Sequence, residues 1–253
     1  MRRFQKIIIG TLIGSTAYAA DPPAHFYTPS RDSVLVLEKF EYPGQLGRFP
    51  GNWEARVGWR QKKTRKKKDL YYTIQEENGD HFLSAETVGG ATNAGRPEEI
   101  NLRIWKMLRW RWRVHSLPAH GNESRKKTND SAAAVRLVFG SRLRPKTLKY
   151  VWSATLPAGT QTESPHHEST KVIVLQSGRR NTGKWMWEEV NAYEDYKRVF
   201  GSDPRLVQAV AVLTDSDNTN SLVKADYDDI TFLMEPPDSS KADALHEVRG
   251  EEK

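Results

Sequence analysis

Leu108-Arg109-Trp110-Arg111-Trp112-Arg113-Val114 alternates without a break. In an extended strand residues two apart share a face, so Leu108, Trp110, Trp112 and Val114 turn one way and Arg109, Arg111 and Arg113 the other. Guanidinium groups in such a row repel one another unless something anionic answers them. One reading is a groove that forks onto carboxylates, phosphates or sugar acids of a ligand. The other is a face whose charges are met by carboxylates on neighbouring strands.

A second concentration of polar chemistry is TDSDNTN at 214–220, where an apolar run ends in acids, amides and hydroxyls. Asp215, Asp217 and Asn218 could hydrogen-bond a ligand's hydroxyls, and oxygen-rich loops can hold calcium. The spacing is not that of an EF-hand, and a turn whose Asx side chains cap their own backbone has the same composition. Hydrolysis by paired carboxylates would draw on Asp215, Asp217, Glu188, Glu189 or Asp195, but no spacing selects a pair. There is no G-x-S-x-G serine elbow, and His166-His167 are neighbours that point apart in extended chain. Tyr150 with Trp152, and Trp185 with Trp187, share faces in the same way. They suit either a core or a stacking platform for sugar rings.

The elements that must position these residues are mostly strands. Runs at 33–40, 70–75, 81–86, 108–115, 132–139, 148–154, 171–176, 185–190, 206–214 and 222–234 have strand character and are separated by turn-rich stretches. Glu77-Asn78-Gly79-Asp80 reads as a hairpin loop, because Asn-Gly tolerates positive φ. The runs at 172–175 and 207–213 are apolar on both faces and suit central strands, with a buried helix as the rival for the second. One short helix is expected at about 191–200, with Asn191 as cap, Glu194 as capping-box partner and Gly201 past the end. Many strands and one helix predict an all-β fold: a single β-sandwich or jelly-roll-like domain over 33–235.

Composition sets outer limits. The 253 residues contain no cysteine, which excludes disulfides, thiolate metal sites and a thiol nucleophile. Arg2, Arg3 and Lys6, then an apolar run to Ile13 and Ala17-Tyr18-Ala19, have the form of a signal peptide cleaved near Ala19. Residues 20–32 form a proline-rich lead-in, and 236–253 a polar tail. Removing the first 19 residues lowers the formal net charge from +7 to +4. The run RQKKTRKKK at 60–68 then stands out as a basic loop. It reads as a solvated loop, and in an exported protein the anions it could attract belong to an envelope surface and not to nucleic acid.

Taken in order, LRWRWRVHSLP at 108–118, Asn129-Asp130-Ser131-Ala132-Ala133, Val138-Phe139, YVWSATLPAGT at 150–160, Gln176-Ser177-Gly178, Gly183-Lys184-Trp185, Asp195-Tyr196, Phe200-Gly201, LTDSDNTN at 213–220 and ADYDDITF at 225–232 resemble the bacterial domain of unknown function 3047. The likeness runs through roughly 33–235. It implies an exported protein built as one β-rich domain, with no activity assigned to the group. The basic run at 60–68 and the stretch leading into the tryptophan strand depart from that pattern.

These readings combine into one expectation: a monomeric, periplasmic or secreted β-sandwich that binds a glycan, a glycolipid or another anionic envelope component on one sheet without catalysis. Arg109, Arg111 and Arg113 would hold anionic groups, and Asp215, Asp217 and Asn218 would hold hydroxyls or a structural cation. No cofactor is expected, and calcium at Asp215 and Asp217 is the one metal these residues suggest. No stretch is long and apolar enough to span a bilayer as a helix. The rivals are a hydrolase of envelope polysaccharide using paired carboxylates, and a purely structural envelope protein.

Overall fold

Period-two alternation becomes strands throughout the computed structural model, which describes residues 33–56 and 71–234 apart from Pro43 and Arg142. The signal segment, the lead-in, the basic run at 60–68 and the tail from 236 lie outside the described residues. In chain order the strands are β1 (Val34–Glu38), β2 (Glu54–Arg56), β3 (Tyr72–Glu77), β4 (Asp80–Val88), β5 (Ala91–Ile100), β6 (Met107–Ser116), β7 (Ala133–Ser141), β8 (Arg144–Ser153), β9 (Gln161–Ser164), β10 (His167–Ser177) and β11 (Met186–Asn191). The helix α1 (Ala192–Phe200) follows, then β12 (Val207–Asp215) and β13 (Leu222–Leu233).

They form two sheets. The first has the order β11-β6-β13-β4-β3, with β1 also on β13; the second has the order β2-β5-β12-β7-β8-β10-β9. The last strand therefore sits in the middle of the first sheet. Its early half pairs with β4 and its late half with β1, while β6 runs along its other side. All strand pairings are antiparallel except β8 with β10. The sheets pack face to face as a β-sandwich, the expected architecture. The run at 207–213 is a central strand between β5 and β7, not a helix. Among the described residues no helix is long and apolar enough to cross a membrane.

Aromatic side chains fill the space between the sheets. Trp110 and Trp112 from β6 meet Tyr150 and Trp152 from β8, with ring centroids 5.6 and 6.1 Å apart. All four are 0% exposed, so Tyr150 and Trp152 are core and not a sugar platform. At one end the Tyr227 hydroxyl from β13 meets Thr214 Oγ1 of β12 at 2.8 Å, and the Tyr72 hydroxyl accepts the Thr214 amide at 3.0 Å. These bonds satisfy buried polar groups and fix how one sheet lies on the other. A smaller apolar cluster of Ala134, Val151, Val172, Val174 and Leu213 covers the outer face of the second sheet. It explains why 172–175 is apolar on both sides.

Local signals hold where they were strongest. Asn78 and Gly79 both take positive φ in the two-residue turn joining β3 and β4. The Asn191 side chain accepts the Glu194 amide, and Gly201 closes α1 in the left-handed conformation. Asn191→Ala should therefore cost about 1 kcal/mol of stability, read as a lower urea midpoint with an unchanged slope.

Candidate functional site

The parity that sends Trp110 and Trp112 inward turns Arg109, Arg111, Arg113 and His115 onto the outer face of the first sheet. The neighbouring strands answer with carboxylates. Arg109 Nε donates to Glu189 of β11 at 2.6 Å. Arg111 donates to Asp80 at 2.6 Å and to Asp228, and its Nε lies 2.9 Å from the Asp229 carboxylate. Arg113 donates to Asp226 at 2.9 Å and to Glu77 at 2.7 Å. Trp185 lies over this network, with the Arg111 and Arg113 guanidinium carbons each 4.7 Å from its ring centroid. The row is consequently buried, Arg111 to 3% exposure. Arg109, Arg111 and Arg113, expected to hold a ligand's anionic groups, thus face carboxylates of β4, β11 and β13 and Glu77 of β3 within the protein itself.

Asp215 lies elsewhere. It follows Leu213 at the same parity and turns outward from the second sheet, so the sandwich, about 10 Å from sheet to sheet, separates it from the arginines. The two halves of the expected site do not come together. The 215–218 turn is latched to the chain before β7. Asp130 accepts the Asn218 amide and Nδ2 through Oδ1, at 3.2 and 3.1 Å, and the Thr219 amide through Oδ2 at 2.7 Å. Asp215 Oδ1 accepts the Asp217 amide at 3.2 Å, an Asx turn. Carboxylate oxygens of Asp130, Asp215 and Asp217 lie within 4.8 Å of one another. Burial pushes Asp215 up and Lys149 down, each resisting a charge in a dry site, while their mutual attraction works against both shifts. Lys149 Nζ, which feels this attraction, is anchored on Ser131 Oγ at 2.9 Å.

The outer face of the first sheet also carries a groove of about 550 Å³ that sequence reasoning did not isolate. Thr73, Gln75 and Glu77 of β3, Phe82, Ser84 and Glu86 of β4, Lys224 and Asp226 of β13, and Arg113 and His115 of β6 line it. Phe82 stands edge-on to Trp185, centroids 5.4 Å apart, at one side. Asp226 is 1% exposed on the floor, with His115 Nε2 2.6 Å from Oδ2. Burial pushes its carboxyl up, but the His115 hydrogen bond and the charges of His115 and Arg113 hold it below the ordinary carboxylate range. Ser84 faces Asp226 across the register and also lowers it, yet makes no bond of hydrogen-bonding geometry to Oδ1. One signal was available: Lys224, Asp226 and Asp228 alternate with Ala225 and Tyr227, just as the arginines alternate with the tryptophans.

The profile of a family described as protein of unknown function, DUF3047, matches residues 57–231. No curated protein matches the chain in sequence. Among solved structures, the chain is similar to the family 11 carbohydrate-binding module of a cellulosomal cellulase of Clostridium thermocellum. That match has 10% identity and a TM-score of 0.38, covering 80% of this chain and 95% of the module. It is also similar to that kind of module from the same organism in complex with a β-1,3-1,4-mixed-linked tetrasaccharide, at 9% identity and TM-score 0.37, covering 80% and 96%. A family GH12 endoglucanase of Trichoderma harzianum is similar at 11% identity and TM-score 0.36, covering 65% and 83%.

Proposed function

We propose that this chain, which belongs to the DUF3047 family, is a carbohydrate-binding β-sandwich without catalytic activity, and that its ligand lies in the groove on the outer face of the first sheet. One observation carries the reading: the groove sets polar side chains from four adjacent strands around an apolar edge at Phe82. A sugar presents hydroxyls in several directions and an apolar ring face. Thr73, Gln75 and His115 offer donors and acceptors, and the small exposed edge of Phe82, 6% of its surface, offers apolar contact. Because strands carry these groups, the backbone that positions them is already ordered before binding. Asp226 does not suit the general-acid role in hydrolysis, since that role needs a carboxyl pushed up and this one is held down. The reading includes export, with residues 1–19 removed and a monomer meeting an envelope or extracellular glycan.

Calorimetric titration against a panel of oligosaccharides tests it, with tryptophan fluorescence as a second signal. At least one saccharide should bind, and Phe82→Ala with Gln75→Ala should weaken it by about tenfold or more, equal to about 1.4 kcal/mol. Reducing ends should not accumulate on prolonged incubation. Absence of binding across the panel, or affinity untouched by the double substitution, would overturn the groove assignment.

A further inference from the structure

We infer that the groove selects glycans bearing free amines over neutral and acidic ones, an inference that rests on the glycan reading above. The charged groups lining it are Glu76, Glu77, Glu86 and Asp226 against Arg113 and Lys224, with His115 between them. Each cation already has a carboxylate. Arg113 is held between Asp226 and Glu77, and Lys224 Nζ lies 3.4 Å from Glu86. His115 contacts Asp226. Arg111, the next cation in the row, is buried beneath Trp185 and committed to Asp228, Asp80 and Asp229. Among the described residues, a uronic acid or phosphate entering the groove therefore finds no cation without a carboxylate neighbour, and it meets an excess of carboxylates that repel it.

An ammonium group meets the opposite situation. Glu76, Glu77 and Glu86 line the groove and are exposed, Glu77 beside Arg113 and Glu86 beside Lys224. Beneath them, the Asp226 carboxylate is buried, with Oδ2 held by Arg113 at 2.9 Å and His115 at 2.6 Å. With four carboxylates lining the groove against Arg113 and Lys224, the site is negative on balance, and a concave site focuses such potential. An ammonium on the sugar ring supplies N–H donors and a positive charge together, and charge-assisted bonds to carboxylates are the stronger kind. Selectivity here comes from rejecting anions as much as from attracting amines.

The probes are a glucosamine tetramer, the same tetramer fully N-acetylated, and a tetragalacturonate, titrated at low and at physiological salt. The amine form is expected to bind about tenfold more tightly than the acetylated form, since two or three partly exposed charge contacts together supply about 1.4 kcal/mol. The preference should shrink as salt rises, and tetragalacturonate should not bind measurably. Glu76→Gln with Glu86→Gln should erase most of the preference, whereas Lys224→Gln should enlarge it; a thermal melt confirms that each variant is folded. Equal or tighter binding of the acetylated tetramer, or tightest binding of tetragalacturonate, overturns the amine selectivity and leaves the glycan groove standing. If none of these probes and no sugar of the wider panel binds, the groove reading fails and this inference goes with it.

Discussion

Arg111→Met should destabilise the protein by about 3–5 kcal/mol at neutral pH, the range for breaking a buried ion pair by removing one partner. The methionine keeps most of the stem's volume, so the loss is electrostatic and not a cavity. Asp228 is 1% exposed and directly opposite Arg111 in the β6–β13 register. Burial pushes its carboxyl up, the adjacent Asp229 charge pushes it further, and Arg111 pulls it back. Without the guanidinium, an ionised Asp228 has no counter-charge in a dry site and protonation becomes its cheapest escape. A carboxyl whose folded-state pKa is raised stabilises the fold below its unfolded pKa, and that contribution is lost as pH rises through the folded value. The penalty of the variant should therefore shrink steadily as pH is lowered toward about 4. Arg111→Met combined with Asp228→Asn should recover a large part of the loss at neutral pH, as coupled neighbours do. Urea unfolding at several pH values reads all of this. A penalty below about 1 kcal/mol, independent of pH, would mean that the row is not an interlocked network.

The same row shows what the linear chain makes legible. The period of two in 108–114 was enough to send the tryptophans one way and the arginines the other, because parity is a property of one strand. What the arginines face depends on which strands lie alongside. Glu189, Asp80, Asp228 and Glu77 come from four other strands, and β13, the last in sequence, enters between β6 and β4. No local pattern announces that insertion. The groove was hidden for the same reason, since it exists only where β3, β4, β13 and β6 are neighbours. Asn78-Gly79 and the caps of α1 were readable because their physics closes within a few residues.

β5 escaped notice for a different reason. ATNAGRPEEI has no clean alternation, and Gly95 and Pro97 argue against a strand interior. The structure accommodates both. Gly95 lies against Ala211, where an added Cβ would come within 3.3 Å of that methyl group. Pro97 sits opposite Ala209, beside the point where the β5–β12 register slips, and β2 pairs only with 93–95 on the other side. A missing amide donor is tolerated where the ladder is already interrupted. Trp185 and Trp187 were readable as a pair on one face. That Trp185 would cover Arg111 and Arg113 depended on the pairing of β11 with β6.

Glu188→Gln should make the protein more stable at alkaline pH and leave it nearly unchanged in acid. Glu188 lies on β11 opposite Trp110, so it turns inward where its neighbour Glu189 turns out to Arg109. Its Oε1 accepts Trp112 Nε1 at 3.1 Å and Gln176 Nε2 at 2.8 Å, joining the two sheets at this edge. Burial pushes its carboxyl up to about 7, and the Gln176 and Trp112 hydrogen bonds offset only part of that. The folded state thus holds a proton that the unfolded chain releases near pH 4.5, so stability falls as pH rises from there to about 7 and is level beyond. At about 1.4 kcal/mol per pKa unit, the ionised carboxylate costs up to about 3 kcal/mol at pH 8. A glutamine retains an oxygen that accepts the same two bonds and never ionises. Its urea midpoint should exceed that of the natural chain above pH 7 and converge with it below about pH 5. Curves that stay parallel across this range would show that Glu188 is solvated enough to ionise freely, and that the contact between β10 and β11 is wetter than its hydrogen bonds imply.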